Sequence, residues 1–286
     1  LGSGSNRQRA AGADEVSAES VSSVGPADAT ADLRRRFGGL DRLYGAAGAS
    51  RIAQAHIAIV GIGGVGSWAA EALARSGVGS LTLIDLDHIA ESNINRQIHA
   101  LDATLGQAKV QAMRERIAGI HPTCHVHCVE EFVEPGNWPA ILQGAQVDGV
   151  IDACDQVHAK TAMAAWARSH EALFIASGAA GGKRLAHKLE VADLAQVTHD
   201  PLLAQVRYRL RKHHAAPRTP NKAFGIACVF SREPVMPPDA SCELDGQTDG
   251  SLNCHGYGST VAVTASFGLC AAGWMLDSLA KHSKKV

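Results

Sequence analysis

The chain has 286 residues, 46% of them hydrophobic, and a formal net charge of −1 from 27 Lys and Arg against 28 Asp and Glu. That length holds one large α/β domain or two smaller ones around a substantial core, and the near-neutral balance excludes a global field that gathers nucleic acid. Seven cysteines, an odd number without a closely spaced framework, exclude a disulfide scaffold and suit a reduced cytoplasm.

Residues 1–30 are poor in large apolar side chains and rich in Ala, Ser and Gly, which reads as a flexible tail outside the fold, without a signal peptide. Leu1-Gly2-Ser3-Gly4-Ser5 has the look of a trimmed or engineered start. The apolar run Ile57 to Val60 reads as a strand, and it leads into Gly61-Ile62-Gly63-Gly64-Val65-Gly66-Ser67 and then a helical pattern from about Gly66. Strand, glycine loop and helix N-terminus in that order capture a phosphate, because backbone N–H groups reach its oxygens without a Cβ in the way and the helix adds its positive end.

A second strand, Leu81 to Ile84, ends in Asp85 at about the twenty-residue distance where a carboxylate meets ribose hydroxyls. Asp85 and Asp87 are two apart at a strand end, so both are expected in one crevice, one towards ribose and one towards a metal ion. Gly61, Gly63, Gly66 and Asp85 alone fit an NAD-dependent dehydrogenase equally well. The polar blocks Glu91-Ser92-Asn93-Ile94-Asn95-Arg96-Gln97 and Gly106-Gln107-Ala108-Lys109 favour a triphosphate with magnesium over a nicotinamide ring.

A helix over Gln107 to Ile117 and a strand over His125 to Val129 come next. His121, Cys124, His125, His127 and Cys128 resemble a metal cluster, but strand alternation sends His125 and His127 to one side and Cys124 and Cys128 to the other. A short helix near Trp138 to Leu142, a strand Gly149 to Asp152, a helix His158 to Ser169 and a strand Leu173 to Ala176 complete an alternating pattern. The expected fold is α/β, a doubly wound, mostly parallel Rossmann-like sheet whose ligand lies at the carboxyl ends of the strands, where Gly61, Asp85 and Asp155 fall. From Gly182 the pattern becomes irregular.

A helix begun by Pro201 carries Arg207-Tyr208-Arg209-Leu210-Arg211-Lys212-His213-His214, and Lys183 to Lys222 holds nine Lys or Arg against three acidic residues. This is either an ordinary solvated face or a contact for RNA phosphates. Cys228 sits in an apolar strand-like run and reads as core, and Cys242 carries no motif. Cys254 lies in the glycine-rich loop Gly250 to Ser259, where His255 can lower its pKa. Val261 to Leu279 is apolar for almost a membrane span, but Ser266, its glycines and Asp277 favour a buried packing helix; peripheral membrane association stays open.

The glycine loop with Ser67, the Ile-Asp-Leu-Asp strand end, Asn93 to Gln97, Gly106 to Lys109 and Asp152-Ala153-Cys154-Asp155 resemble the ubiquitin-activating-type adenylyltransferases, which activate a carboxylate with ATP. Within that family the sequence is most similar to the tRNA threonylcarbamoyladenosine dehydratases. The segments that carry this are Arg36 to Leu40 with Leu43-Tyr44-Gly45, Ser177 to Gly181, Asp200-Pro201-Leu202, Cys228 to Ser231 and Thr260 to Gly268. The sulfur-carrier adenylyltransferases of the family usually carry two Cys-x-x-Cys pairs for zinc, and this chain has no Cys-x-x-Cys.

The resemblance implies one adenylation domain over 31–286, with an ATP-binding part at about 50–180 and a part facing substrate tRNA at about 181–286. It implies ATP and Mg2+ contacts from Asn95, Arg96, Gln97, Lys109 and Asp155, an activated carboxyl adenylate, and a homodimer in which an N-terminal arginine reaches ATP across the interface. The family's last motif arginine aligns with Gly39 here, which leaves Arg36 and Arg42 as candidates. It also leaves room for a monovalent cation (K+ or Na+), for a cysteine-desulfurase or sulfur-acceptor partner, and for Cys254 either to take the acyl group or to stand aside while the substrate cyclises internally. The implied reaction is ATP-dependent dehydration of threonylcarbamoyladenosine in tRNA; the alternatives are adenylation of a ubiquitin-like sulfur carrier and nucleotide binding without pyrophosphate release.

Overall fold

His56–Val60 (β1) and Ser80–Ile84 (β2) each bury four consecutive residues, the pattern of parallel strands covered on both faces. In the computed structural model, which describes Leu1 and residues 32–219, 222–239 and 257–281, they are neighbouring inner strands of a seven-stranded sheet. Its other strands are His125–Val129 (β3), Gly149–Asp152 (β4), Leu173–Ser177 (β5), Leu189–Asp193 (β6) and Ala227–Ser231 (β7). The order is β3-β2-β1-β4-β5-β7-β6, parallel throughout except for the antiparallel edge pair β6 and β7. This is the doubly wound sheet expected from the alternating pattern.

One face is covered by Gly39–Gln54 (α2), Gly66–Arg75 (α3), Lys109–Ile120 (α4) and, at the far end of the chain, Val261–Lys281 (α7). Ile57, Ile59, Leu73, Leu83, Met113, Phe267 and Met275 interlock there without exposure. The other face is covered by Val157–His170 (α5) and Pro201–His213 (α6) over Val60, Val150, Met163, Phe174, Leu203 and Phe230. Burying each such side chain contributes on the order of 1.5–3 kcal/mol. Asp200 starts α6 by accepting the Leu203 N–H at 2.9 Å, with Pro201 at the first helical position.

Helix α7 is long and apolar enough to cross a membrane by length and composition, yet half of it is buried inside the protein. It packs against α2, α3 and the sheet. The packing-helix reading of this segment therefore describes what is seen.

Three features depart from the expectation. A short helix Leu33–Phe37 (α1) and α2 precede β1, with a kink in α2 at Gly45 (φ 71°). The stretch after Gly182 is not irregular throughout, because β6 and β7 extend the sheet. The short helix near Trp138 is a single 3-10 turn at Ala140–Leu142. Cys228 is buried in β7, as its apolar neighbours required. On β3, His125 and His127 are exposed while Cys124 and Cys128 pack against the core, so strand alternation separates the two pairs.

Candidate functional site

Register places the site. Val60 pairs with Ile84 on one side and Asp152 on the other, so β1, β2 and β4 end level and release residues 61–66, 85–87 and 153–155 side by side. In such sheets the crevice beyond the carboxyl ends, where the strand order reverses, receives the ligand. Gly61 has φ +85°, and a Cβ there would meet the Ala153 carbonyl oxygen at 2.9 Å; a Cβ on Gly66 would overlap the Gly61 carbonyl oxygen. The loop can make its turn only with glycine at these positions.

Asp85 ties this loop to β2. Its Oδ2 accepts the Ile62 N–H at 2.6 Å and its Oδ1 the Asp87 N–H at 2.9 Å, and the residue is 7% exposed. Burial pushes its carboxyl above the usual carboxylate range, with Lys109 opposing. Asp85 and Asp87 both meet Lys109, but the two carboxylates are not equivalent. The strand stops at Ile84, Asp85 turns inward onto the backbone, and the carboxylate left facing outward is Asp87, whose side chain is 53% exposed.

Lys109 donates to Asp87 Oδ2 at 2.6 Å and lies 4.0 Å from Asp85 Oδ1. The backbone fixes this meeting, since Lys109 N–H donates to the Asp87 carbonyl at 3.0 Å and Ile89 N–H to the Gln107 carbonyl at 2.9 Å. Asp87 is thus held by an ammonium at contact distance, which makes it a poor metal ligand. Asp155 is exposed at the end of β4, with Gln156 Nε2 at 3.3 Å from its Oδ1.

Arg96 is buried beside the loop, where the position of a Cβ on Gly64 lies 3.3 Å from Arg96 Cγ and from Thr264 Cβ of α7. Its Nη1 donates to the Ser92 carbonyl at 2.6 Å and to Asn95 Oδ1 at 2.9 Å, while Asn95 Nδ2 donates to the Ser259 carbonyl at 3.1 Å. Gln97 reaches to 3.9 Å from the Cβ position of Gly63. Ser67 Oγ, Gln97 Oε1 and Thr264 Oγ1 are buried around this loop with no hydrogen-bond partner among the described residues. Buried polar groups are rarely left so, and three around one glycine loop mark a place built to meet a polar ligand.

The turn carrying Asp155 has its own support, which the sequence reading missed. Lys160 and Asp152 are both fully buried; Lys160 Nζ donates to Asp152 Oδ1 at 2.9 Å and to the Cys154 carbonyl at 2.9 Å. Asp152 Oδ1 also accepts the Cys154 N–H at 3.2 Å. Burial pushes both the Asp152 carboxyl and the Cys154 thiol upwards. The available signal was a lone lysine among Ala159, Met163 and Ala164 on the inward face of α5.

Arg36 lies elsewhere. It donates to the Ile120 carbonyl at 2.6 Å, at the C-terminus of α4 and so at the opposite end of the sheet from its own chain's glycine loop. Arg42 is exposed on α2. Cys254 and His255 lie outside the described residues, as does Cys242. Of the basic run, Lys183, Arg207 and Arg211 are structural: Lys183 donates to the carbonyls of His199, Ser231 and Glu233, Arg207 to those of Leu194 and Val197, and Arg211 to that of Pro217. Arg209, Lys212, His213 and His214 are left towards the outside.

His99 follows Gln97 into the core, 2% exposed, and neither ring nitrogen has a partner among the described residues. Burial, with the charges of Lys109 and Arg116 adding to it, pushes its pKa down to about 4. The unfolded chain takes up this proton near pH 6.5 and the folded one only near pH 4. Stability is therefore expected to fall as pH drops through that window, by about 3 kcal/mol in all. Urea titrations at pH 7 and pH 4 of the parent and of His99→Leu check this. The stability difference between the two proteins should change by about that amount, and a constant difference would refute it.

Among known proteins, the ThiF family matches residues 38–286. The chain is similar to the tRNA threonylcarbamoyladenosine dehydratase of Haemophilus influenzae, 42% identical over 252 residues that cover 87% of this chain and 95% of that protein. It is equally similar to the Escherichia coli dehydratase, 42% identical with 86% and 94% covered. The solved structure of the E. coli tRNA N6-threonylcarbamoyladenosine dehydratase in complex with ATP superposes with a TM-score of 0.77 at 41% identity, covering 87% of this chain and 96% of that one.

Proposed function

The chain belongs to the ThiF family, and from that premise and the geometry of the loop at residues 61–67 we propose that it is an ATP-dependent tRNA threonylcarbamoyladenosine dehydratase. One observation carries the reading: buried Lys109 and Arg96, outward Asp87 and exposed Asp155 surround that glycine loop. The chain that holds them matches the dehydratases along nearly their whole length.

The loop N–H groups and the start of α3 cradle the phosphates of ATP, with Ser67 and Gln97 beside them. Asp87 meets the ribose and Asp85 holds the loop in shape. The threonine carboxylate of the modified nucleoside attacks the α-phosphorus, the bond to the β-phosphate oxygen breaks, and pyrophosphate leaves. Arg96 and Lys109 offset the charge that builds on the α-phosphate oxygens in that transition state. A nitrogen of the same modification then attacks the acyl carbon and expels AMP, which closes a ring and leaves the nucleoside one water lighter. No step needs Cys254.

Mg2+ is held in proteins by one or two carboxylates together with substrate phosphates. Asp155 fits that role, being an exposed carboxylate without a cationic partner among the described residues. Bound there, the ion would neutralise charge on the leaving pyrophosphate. A homodimer, as the family resemblance implies, and a cytoplasmic location complete the reading. Arg36 and Arg42, both exposed, are the candidates to reach the other subunit's ATP, and Arg36 would first have to leave the Ile120 carbonyl.

Incubation with ATP, Mg2+ and tRNA carrying threonylcarbamoyladenosine, followed by digestion and mass measurement of the nucleosides, tests the proposal. The expected result is loss of one water from that nucleoside, with AMP formed in equal amount. An unchanged mass would overturn the tRNA reading and turn attention to the carboxylate of a ubiquitin-like protein.

A further inference from the structure

We propose that the cleft between α5 and α6 is a second recognition site that holds one unpaired nucleotide of the tRNA substrate, its base against tryptophan and its phosphate on Arg209 and the neighbouring histidines. This rests on the dehydratase reading and adds to it a place where the RNA, not the ATP, is gripped.

The cleft has a volume of about 480 Å³, in the range of small-ligand sites. Its aromatic wall is Trp138 against Trp166, edge to face with ring centroids 5.4 Å apart and planes at 90°. His170 stacks behind Trp166 at 5.3 Å and holds its ring. Trp138 is 8% exposed, yet its indole N–H has no hydrogen-bond partner among the described residues. Trp138 thus forms the buried floor of the wall and Trp166, half-buried, its accessible part.

The opposite wall carries one guanidinium, Arg209, and three imidazoles. Arg209 Nη2 lies 3.0 Å from His158 Nε2, and His213 and His214 follow at the end of α6. None of the lining residues is a carboxylate. Stacking rings beside Arg and His without acidic groups suit an unstacked base with its phosphate, because aromatic faces accept any base and the guanidinium pairs with phosphate oxygens. An acidic peptide would use Arg209 but leave the tryptophans without a role.

Position favours the substrate over an unrelated RNA. His158 stands three residues beyond Asp155, in the first turn of α5, so one end of the cleft adjoins the turn that carries Asp155, and the cleft runs from there along α5 to Trp166. A nucleotide bound there would anchor the RNA strand next to the crevice where its modified neighbour reacts.

Trp166→Leu and Arg209→Gln test this, measured with tRNA carrying threonylcarbamoyladenosine and, separately, with ATP. Each variant is expected to raise the KM for tRNA about tenfold or more, with the Kd for ATP unchanged and kcat at saturating tRNA close to the parent value. Arg209 is on the surface, so its variant keeps the test open if Trp166→Leu unfolds. A parent that turns over while both folded variants keep its tRNA KM would overturn the cleft assignment and leave the site to a protein partner. A parent that does not turn over would instead refute the dehydratase reading, and tRNA binding by fluorescence anisotropy would then decide the cleft separately.

Discussion

Lys109→Met is expected to lower AMP formation from ATP and threonylcarbamoyladenosine-bearing tRNA by about 10³-fold at saturating substrates, while ATP binding weakens far less. The size follows from what a preorganised, water-excluded charge contributes to a transition state, commonly 10² to 10³ in kcat per donor. Lys109 meets those conditions. Its side chain is 8% exposed, it is held between Asp87 at 2.6 Å and Asp85 at 4.0 Å, and two backbone hydrogen bonds lock the strand end to the start of its helix. A charge already in place needs no reorganisation when the α-phosphate becomes more negative.

One control separates this from damage to the fold. The methionine keeps the aliphatic stem, but it leaves Asp85 buried without its nearby cation. Burial already pushes the Asp85 carboxyl upwards, and losing Lys109 should raise it further and loosen the loop it anchors. Lys109→Arg keeps the charge and should hold the loop, so the pair of variants divides the loss between electrostatics and loop geometry. A loss under tenfold for Lys109→Met, measured as single-turnover pyrophosphate release, would remove Lys109 from the chemistry.

Where the sequence was legible and where it was not has a physical pattern. β1, β2 and β4 were readable to within a residue, because parallel strands covered on both faces are continuous apolar runs and glycine or aspartate marks their ends, whereas the edge strand β3 was readable from its alternation. The glycine loop was readable because φ +85° at Gly61 and the overlap at Gly66 admit nothing else. Helix α2 was not, since its run of small and polar residues buries only Gly48 and Ile52 and so carries no apolar stripe. β6 escaped for a similar reason, as an edge strand whose residues are all half-buried or exposed.

The roles of individual carboxylates were less legible than their presence. Alternation along a strand predicts where Asp85 and Asp87 point only while the strand continues, and β2 ends at Ile84. Composition likewise marked the basic run as one feature, although Arg207 and Arg211 serve backbone carbonyls and only part of the run faces outward. Sorting a charge by its partner needs tertiary contacts that spacing does not encode.

Lys160→Met is expected to destabilise the protein by about 3–5 kcal/mol, because it leaves the buried Asp152 carboxyl without the cation that offsets its burial. For a chain of this size that is a fall in Tm of roughly 10 °C. Adding Asp152→Leu removes the stranded carboxylate, and such apolar replacements of buried pairs are often neutral or better, so the double variant should regain most of the stability. Activity should not return with it. Lys160 also donates to the Cys154 carbonyl at 2.9 Å and Asp152 accepts the Cys154 N–H at 3.2 Å, and together these fix the turn that presents Asp155. With both gone the turn keeps its packing but loses its aim. The double variant is therefore expected to need a higher Mg2+ concentration for half-maximal rate and to stay at least tenfold slow at saturation, since small misplacements of a positioned group cost rate steeply. Thermal melts beside magnesium titrations of the parent, single and double variants decide the matter: recovery of stability and rate in parallel would reduce Lys160 to a structural residue, whereas stability recovered alone makes it the residue that positions Asp155.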